Sequence, residues 1–335
     1  MSVRKGMIGV LVALVAAVAL IAASIGSAKP TQGLKVALVT DIGGLNDKGF
    51  NSLAYNGLKL GQSKLGVTGR VFISKSAADY IPNLSKGAQD GNDLVVAVGF
   101  LMADAVAAVA KRFPDTRFAI VDYPWVALKG KPKNVRGIIF AENEAGCLAG
   151  VAAARVSKSN NISSVGGIKI PPVDAFIAGY EFCAKKVKPG IKVTHDYSQD
   201  FVAQDKCKEL ALKQIEAGSD VVFQVAGGCG LGALQAAKDE KVWGIGVDTD
   251  QGFLGTHVLT SAQKKVDQGV YQTIQSVENG TFKGGADGVF NTKNKGTGFG
   301  KVSAKAPGRV GLVNLLGKWS KDLSSGKVKP PRTVK

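Results

Sequence analysis

From Leu34 onward the chain alternates short runs rich in β-branched residues with longer stretches whose apolar positions recur every three or four residues. The short runs predict strands at Leu34–Thr40, Val71–Ser74, Leu94–Val98, Arg117–Val121 and Val135–Phe140. Between them, Phe50–Lys64, Pro82–Gln89 and Leu101–Arg112 carry helical spacing. Strands apolar along their whole length, alternating with helices, indicate a parallel sheet covered on both faces. After a helix predicted at Asn143–Val156 the alternation starts again. Strands at Ile162–Ile168, Lys192–Tyr197, Asp220–Val225 and Val242–Val247 are separated by helices at Val173–Val187, Asp205–Ala217 and Leu231–Lys238. The expected fold class is α/β, with two doubly wound parallel-sheet lobes.

Beyond Val247 the pattern thins. A strand at His257–Ser261 and a helix at Val266–Asn279 precede a Gly- and Lys-rich stretch too small for a third core, which must return to the lobes already built. The expected division is 33–141 plus about 257–282 as one lobe, and 142–256 plus about 283–330 as the other. A chain that crosses between lobes leaves its natural ligand cleft between them, at the carboxyl ends of the parallel strands.

Composition narrows the chemistry. The 335 residues are 45% hydrophobic and 21% charged, an ordinary globular balance that excludes wholesale disorder and fibrous repeats. His195 and His257 are the only histidines, and no H-E-x-x-H, G-x-S-x-G or G-x-x-x-x-G-K-[ST] string occurs. No metal, cofactor or catalytic residue is expected. The net charge of +17 is uneven, because residues 283–335 hold 12 Lys and Arg against two acids. Those cations lie among Gly, Ser and Thr with few aromatics for base stacking, so the reading is a solvated face or attraction to an anionic membrane surface, not a nucleic-acid site.

Residues 1–28 place Arg4 and Lys5 before an apolar run, Met7–Ile25, that ends at Gly26-Ser27-Ala28. This order is that of an export signal cleaved after Ala28, and its 19-residue run would also suffice for an uncleaved N-terminal anchor. Either way the protein is expected outside the cytoplasm, periplasmic or otherwise extracytoplasmic. Disulfides are permitted there, and Cys147, Cys183, Cys207 and Cys229 allow three pairings. Cys207 and Cys229 both follow predicted strands, which favours Cys207–Cys229 with Cys147–Cys183; burial as small hydrophobes is the alternative.

The strand ends carry the candidate chemistry. The first delivers Asp41 into a loop with Gly43, Gly44, Asn46 and Asp47, and Phe50 and Asn51 open the following helix. Glycines allow close backbone approach, Asp and Asn supply acceptors and donors, and Phe50 offers a flat apolar face. Read alone, Asn46 or Asp47 could be only a helix cap and Phe50 only core. Repetition argues otherwise: the third strand delivers Gly99-Phe100, the fourth Asp122, and the matching strand of the second half Asp248. Three carboxylates converging on one cleft without calcium-loop spacing suit donors on an organic ligand. The run Gly227-Gly228-Cys229-Gly230-Leu231-Gly232 approximates a dinucleotide fingerprint, but its glycine spacing is wrong.

Taken in order, Asp41 to Asn51, Gly99-Phe100, Gly166-Gly167, Ala178-Gly179-Tyr180-Glu181, Ala226-Gly227-Gly228 and Gly246 to Gln251 resemble the basic membrane protein family, also called the purine nucleoside receptor family, of substrate-binding proteins for ABC importers. The resemblance covers essentially all of 33–335. It implies a type I periplasmic-binding-protein fold, a purine nucleoside or similar ribose-like molecule in the cleft, and ABC permease and ATPase subunits as partners of a monomer. By position, Asp41 and Asp122 would hydrogen-bond the base, Phe50 would stack on it, and Asp248 with Lys264 would hold the ribose hydroxyls. The second stacking ring would be Phe223, with Phe201 as the alternative. The chain departs from the family in lacking a Cys for lipidation and in carrying Gly49 and Lys169 where Ser and Asp are usual. The other functions compatible with the sequence are an exported ligand-sensing receptor and a nucleoside- or NAD-using enzyme.

Overall fold

The structure, a computed structural model, describes residues 33–334; the expected export segment, residues 1–28, lies outside the described residues. The first lobe is built from β1 (Lys35–Val39), α1 (Phe50–Leu65), β2 (Thr68–Phe72), α2 (Tyr80–Gln89), β3 (Leu94–Ala97), α3 (Ala103–Arg112), β4 (Arg117–Val121) and β5 (Val135–Phe140). The second comprises α4 (Glu142–Val156), β6 (Asn161–Gly166), α5 (Pro171–Val187), β7 (Lys192–Tyr197), α6 (Gln204–Glu216), β8 (Val221–Val225), α7 (Gly230–Asp239), β9 (Trp243–Asp248) and β10 (Val258–Lys264). The chain then returns. Helix α8 (Val266–Glu278) packs Val266, Val270 and Ile274 against Leu53, Ala54 and Leu58 of α1, and β11 (Ala286–Phe290) joins β5. Finally β12 (Thr297–Phe299) and α9 (Arg309–Ser324) join the second lobe.

The two six-stranded sheets run β11-β5-β4-β3-β1-β2 and β12-β10-β9-β8-β6-β7, parallel throughout except for β12 against β10. Central strands such as β3, Leu94–Ala97, are buried at every position because helices cover both faces, which is why they read as unbroken apolar runs. The topology corrects the expected division within 257–330. Strand β10 extends the second sheet, not the first, and β11 extends the first, not the second. The chain therefore crosses between lobes after β5, after β10 and after β11. Backbone hydrogen bonds stitch these crossovers together: Ala141 N donates to Phe290 O at 2.8 Å and Lys265 N to Gly296 O at 2.9 Å.

Helices α4 and α5 approach closely because glycines face the contact. A methyl group at Gly150 would lie 2.1 Å from the Tyr180 carbonyl oxygen, so only Gly fits there. Cys147 and Cys183 bridge the same helix pair, and Cys207 on α6 bridges Cys229 just before α7. This is the expected pairing, although Cys207 lies within α6 and not at a strand end.

Candidate ligand-binding cleft

The carboxyl ends of the two sheets face one another across a cleft. The first lobe contributes Asp41, Asp47, Phe50, Asn51, Gly99 and Asp122 to its lining. The second contributes Phe176, Phe201, Gly228, Asp248 and Lys264, together with an apolar wall of Ile170, Pro172 and Val173 at the start of α5. Across the mouth the lobes touch, Gln251 Nε2 donating to Lys48 O at 3.2 Å.

Each polar group is held by its own loop. The Asp41 backbone N–H donates to Asn51 Oδ1 at 2.9 Å, and the Asp41 carboxylate accepts the Ile42 N–H and the buried Tyr80 hydroxyl. Gly99 is needed beside it: its φ is +131°, and a methyl group there would stand 2.3 Å from Asp41 Oδ2. Gly99 thus makes room for the carboxylate rather than contributing a group of its own. Asp47 accepts the backbone N–H groups of Gly49, Asn51 and Ser52, at 3.1, 2.6 and 3.1 Å, and so closes the first turn of α1. Asn46 is exposed and is not part of the cleft lining, so this member of the expected set falls outside the site. A residue next to a turn that points to solvent looks the same in sequence as one that points inward.

Asp122 and Asp248 occupy equivalent places, at the ends of β4 and β9, and both have left-handed backbones with φ of 69° and 63°. Such strain in non-Gly residues costs of order 1–3 kcal/mol each and persists where the surroundings impose it, commonly at functional sites. Lys264, the last residue of β10, meets Asp122 Oδ2 at 2.6 Å and lies 3.8 Å from Glu142 Oε1. Its ammonium also sits 4.8 Å from the Phe50 ring centre and 5.6 Å from those of Phe140 and Phe176. The other oxygen of Asp122 is buried with no hydrogen-bond partner among the described residues. Geometry thus pairs Asp122 with Lys264, and Asp248 lines the same cleft within their electrostatic reach, whereas Asp41 belongs to the Tyr80 corner.

Burial dominates the titration of these groups. It raises Asp41 to about 6 despite the Tyr80 and Ile42 hydrogen bonds. It raises Asp248 to about 7 against the pull of Lys264, with the Asp122, Asp47 and Glu142 carboxylates adding to the rise. Burial also raises Glu142, against the opposing pull of Lys264 and Arg332. For Lys264 burial acts downward, but the surrounding Asp122, Asp248 and Glu142 outweigh it and hold the ammonium above its usual range.

Of the two candidate rings, Phe201 lines the cleft. Phe223 does not: it is fully buried, packed edge-on to Phe176 and against Tyr180 with centroids 6.3 and 5.1 Å apart. It lies two residues before the end of β8, so its side chain goes into the helix layer instead of over the strand tip. The sequence reading missed Tyr80, Glu142, Phe176 and the α5 wall. Pro171-Pro172 ahead of an apolar helix was the available signal for the wall, and Glu142 follows a strand end by two residues.

Two wound lobes joined by three crossovers around a shared cleft define the two-lobed periplasmic-binding-protein fold. A solved solute-binding protein of an ABC transporter system from Aeropyrum pernix K1 superposes with TM-score 0.79 at 24% identity, covering 88% of this chain and 92% of its own. The family described as "ABC transporter substrate-binding protein PnrA-like" matches residues 34–309. The "ABC transporter nucleoside-binding protein BmpA" of Lactococcus lactis is 36% identical over 98% of this chain and 99% of its own length. Basic membrane protein A of Borreliella burgdorferi is 33% identical over 78% and 76%. The chain belongs to this PnrA-like, or basic membrane protein, family of ABC transporter substrate-binding proteins. As a class such proteins take a small-molecule ligand and work with a transporter.

Proposed function

We propose that the cleft captures a purine nucleoside, or a closely similar ribose-bearing molecule, and that the protein delivers it unaltered to an ABC permease outside the cytoplasm. The observation that carries this reading is the Lys264–Asp122 pair beside the Phe50 ring, with Asp122 Oδ1 buried and without a partner among the described residues and Asp248 in the same lining. Ribose hydroxyls can donate to the carboxylates and accept from the ammonium, while Phe50 and Phe201 supply apolar faces for the base. Asp41, separately held by Tyr80, would accept from a ring N–H or exocyclic amine. Selectivity follows from desolvation, since a buried carboxylate left without its donor costs about 1–3 kcal/mol or more. The Lactococcus relative is itself named as nucleoside-binding, which supports the ligand class.

Delivery without chemistry is supported by the family, whose matched model and relative are named as substrate- and nucleoside-binding proteins. Among the described residues no helix is long and apolar enough to cross a membrane. Lobe motion about the three crossovers would open and close the cleft, as in other hinged binding proteins. A thermal-shift panel tests the reading. Adenosine, guanosine and inosine should each raise the melting temperature more than ribose or the free bases, because a ligand at a hundred times its dissociation constant adds about 2.7 kcal/mol. A panel in which no nucleoside shifts the transition contradicts it.

The carboxylates make binding pH-dependent. Asp41 and Asp248, with pKa values near 6 and 7, are protonated in part below neutrality, whereas ligand donors favour their ionised forms. Binding then releases protons, so affinity should rise with pH through this window. Isothermal titration with a nucleoside that does not itself titrate between pH 5 and pH 8 should show binding weaker at pH 5 by about tenfold or more.

A further inference from the structure

Among the described residues the cations of the carboxyl-terminal stretch face solvent, and Arg332, itself half-exposed, also turns its guanidinium onto a buried carboxylate. Its Nη2 lies 2.6 Å from Glu142 Oε2, and the Glu142 side chain is only 2% exposed. Its Nη1 donates to Phe140 O and to Asn143 Oδ1, both at 3.2 Å, and Asn143 Nδ2 returns a hydrogen bond to Pro330 O at 2.6 Å. Phe140 ends β5 in the first lobe, and Glu142 and Asn143 begin α4 in the second. The tail therefore clasps the first crossover from both sides.

Glu142 connects this clasp to the cleft. Its Oε1 is 3.8 Å from the Lys264 ammonium, which is already paired with Asp122 at 2.6 Å. Around Glu142 stand Lys264 from β10, Asp122 from the end of β4, Asp248 from the end of β9 and Arg332 from the tail. Two residues along its own helix, Glu144 is engaged elsewhere, by the Thr292 N–H at 2.7 Å. Three carboxylates thus share two cations. Without Arg332 the ratio becomes three to one, and Glu142 competes with Asp122 for the same ammonium.

We propose that Arg332 is a positioning residue for the ligand site: by holding Glu142 across the first crossover it leaves Lys264 paired with Asp122, where a ligand meets it. The role assigned to Lys264 in ligand binding rests on the functional reading above, but the electrostatic coupling does not. The test compares wild type, Arg332→Gln and Arg332→Lys. Gln keeps hydrogen-bonding capacity without charge, and Lys keeps charge without the planar fork.

Melting temperatures without ligand are recorded from pH 5 to pH 8. In Arg332→Gln the native carboxyl of Glu142 is raised further above its unfolded value, so the native state holds a proton that the unfolded chain has released, and stability falls as pH rises. The gap from wild type should be small at pH 5 and wider by about 3 °C or more at pH 8, with Arg332→Lys restoring the wild-type profile. A gap that does not change with pH, or a Lys variant that behaves as the Gln variant does, overturns the coupling. Titration of the same three proteins with adenosine at pH 8 should show roughly tenfold weaker binding in Arg332→Gln alone. Unaltered affinity in that variant overturns the positioning claim, and a wild type that binds no nucleoside counts against the functional reading while the ligand-free profiles still decide the coupling.

Discussion

Lys264→Met is expected to produce the largest loss of any single substitution in the cleft. The ammonium is 3% exposed and is shared by Asp122 and Glu142, whose side chains are 5% and 2% exposed. Breaking a buried ion pair by removing one partner typically costs about 3–5 kcal/mol, because the remaining charge is left in a poorly solvated place. Two carboxylates lose their counter-ion here, and Asp248 loses the cation that holds its own rise in check. The folded-state pKa values of Glu142 and Asp248, already raised against the pull of Lys264, should climb further, while their unfolded values stay near 4. Native protein then binds more protons than unfolded protein between those limits, so the deficit is full near pH 8 and shrinks as the pH falls towards 5. Denaturant unfolding at both pH values checks the sign. Adding Asp122→Asn to the variant should recover part of the loss at pH 8, since it removes one of the stranded charges.

Phe50→Ala is expected to weaken every nucleoside alike. Stacking of a base on an aromatic ring is worth about 1–3 kcal/mol and is tolerant of base identity, which corresponds to roughly a 5- to 150-fold loss of affinity. Phe201→Ala should act in the same way from the opposite lobe. Phe223→Leu provides the contrast, because its ring is fully buried against Phe176 and Tyr180 and has no face in the cleft. It should lower stability by about 1 kcal/mol and leave affinity unaltered. Titration calorimetry with adenosine and guanosine separates the three variants, and a selective loss for one base in Phe50→Ala would show that the ring does more than stack.

Some of these features were readable from the sequence for physical reasons. A parallel strand covered on both faces must be apolar along its length, so β3 and β4 stand out, and the helices between them carry the 3.6-residue spacing of one buried face. Edge strands lack that constraint. Strand β2, Thr68–Phe72, has an exposed or half-buried residue at every position and begins earlier than its apolar residues suggest. Strands β11 and β12 are also short and bury one residue each, and neither is visible as a run. Which lobe a strand joins depends on the chain path, and that path turns at Lys265, a residue with no local mark.

The same contrast holds in the cleft. Asp41, Asp122 and Asp248 were legible because each follows an unmistakable strand, and the equivalence of the last two reflects the repeated topology of the lobes. Phe223 was misleading because a strand buried on both faces does not reveal from its sequence which ring reaches the tip. Glu142 and Arg332 were not legible at all. One lies 190 residues from the other, and the basic stretch that holds Arg332 has the composition of a solvated face.

The most direct measurement compares wild type and Asp122→Ala by isothermal titration with adenosine, guanosine and inosine at pH 8. Removing Asp122 leaves Glu142 and Asp248 facing Lys264 and Arg332, a balanced set, so the variant should remain folded. Wild-type protein should bind one nucleoside per chain saturably, and Asp122→Ala should lose that binding. Equal binding by both proteins, or none by the wild type, would contradict it.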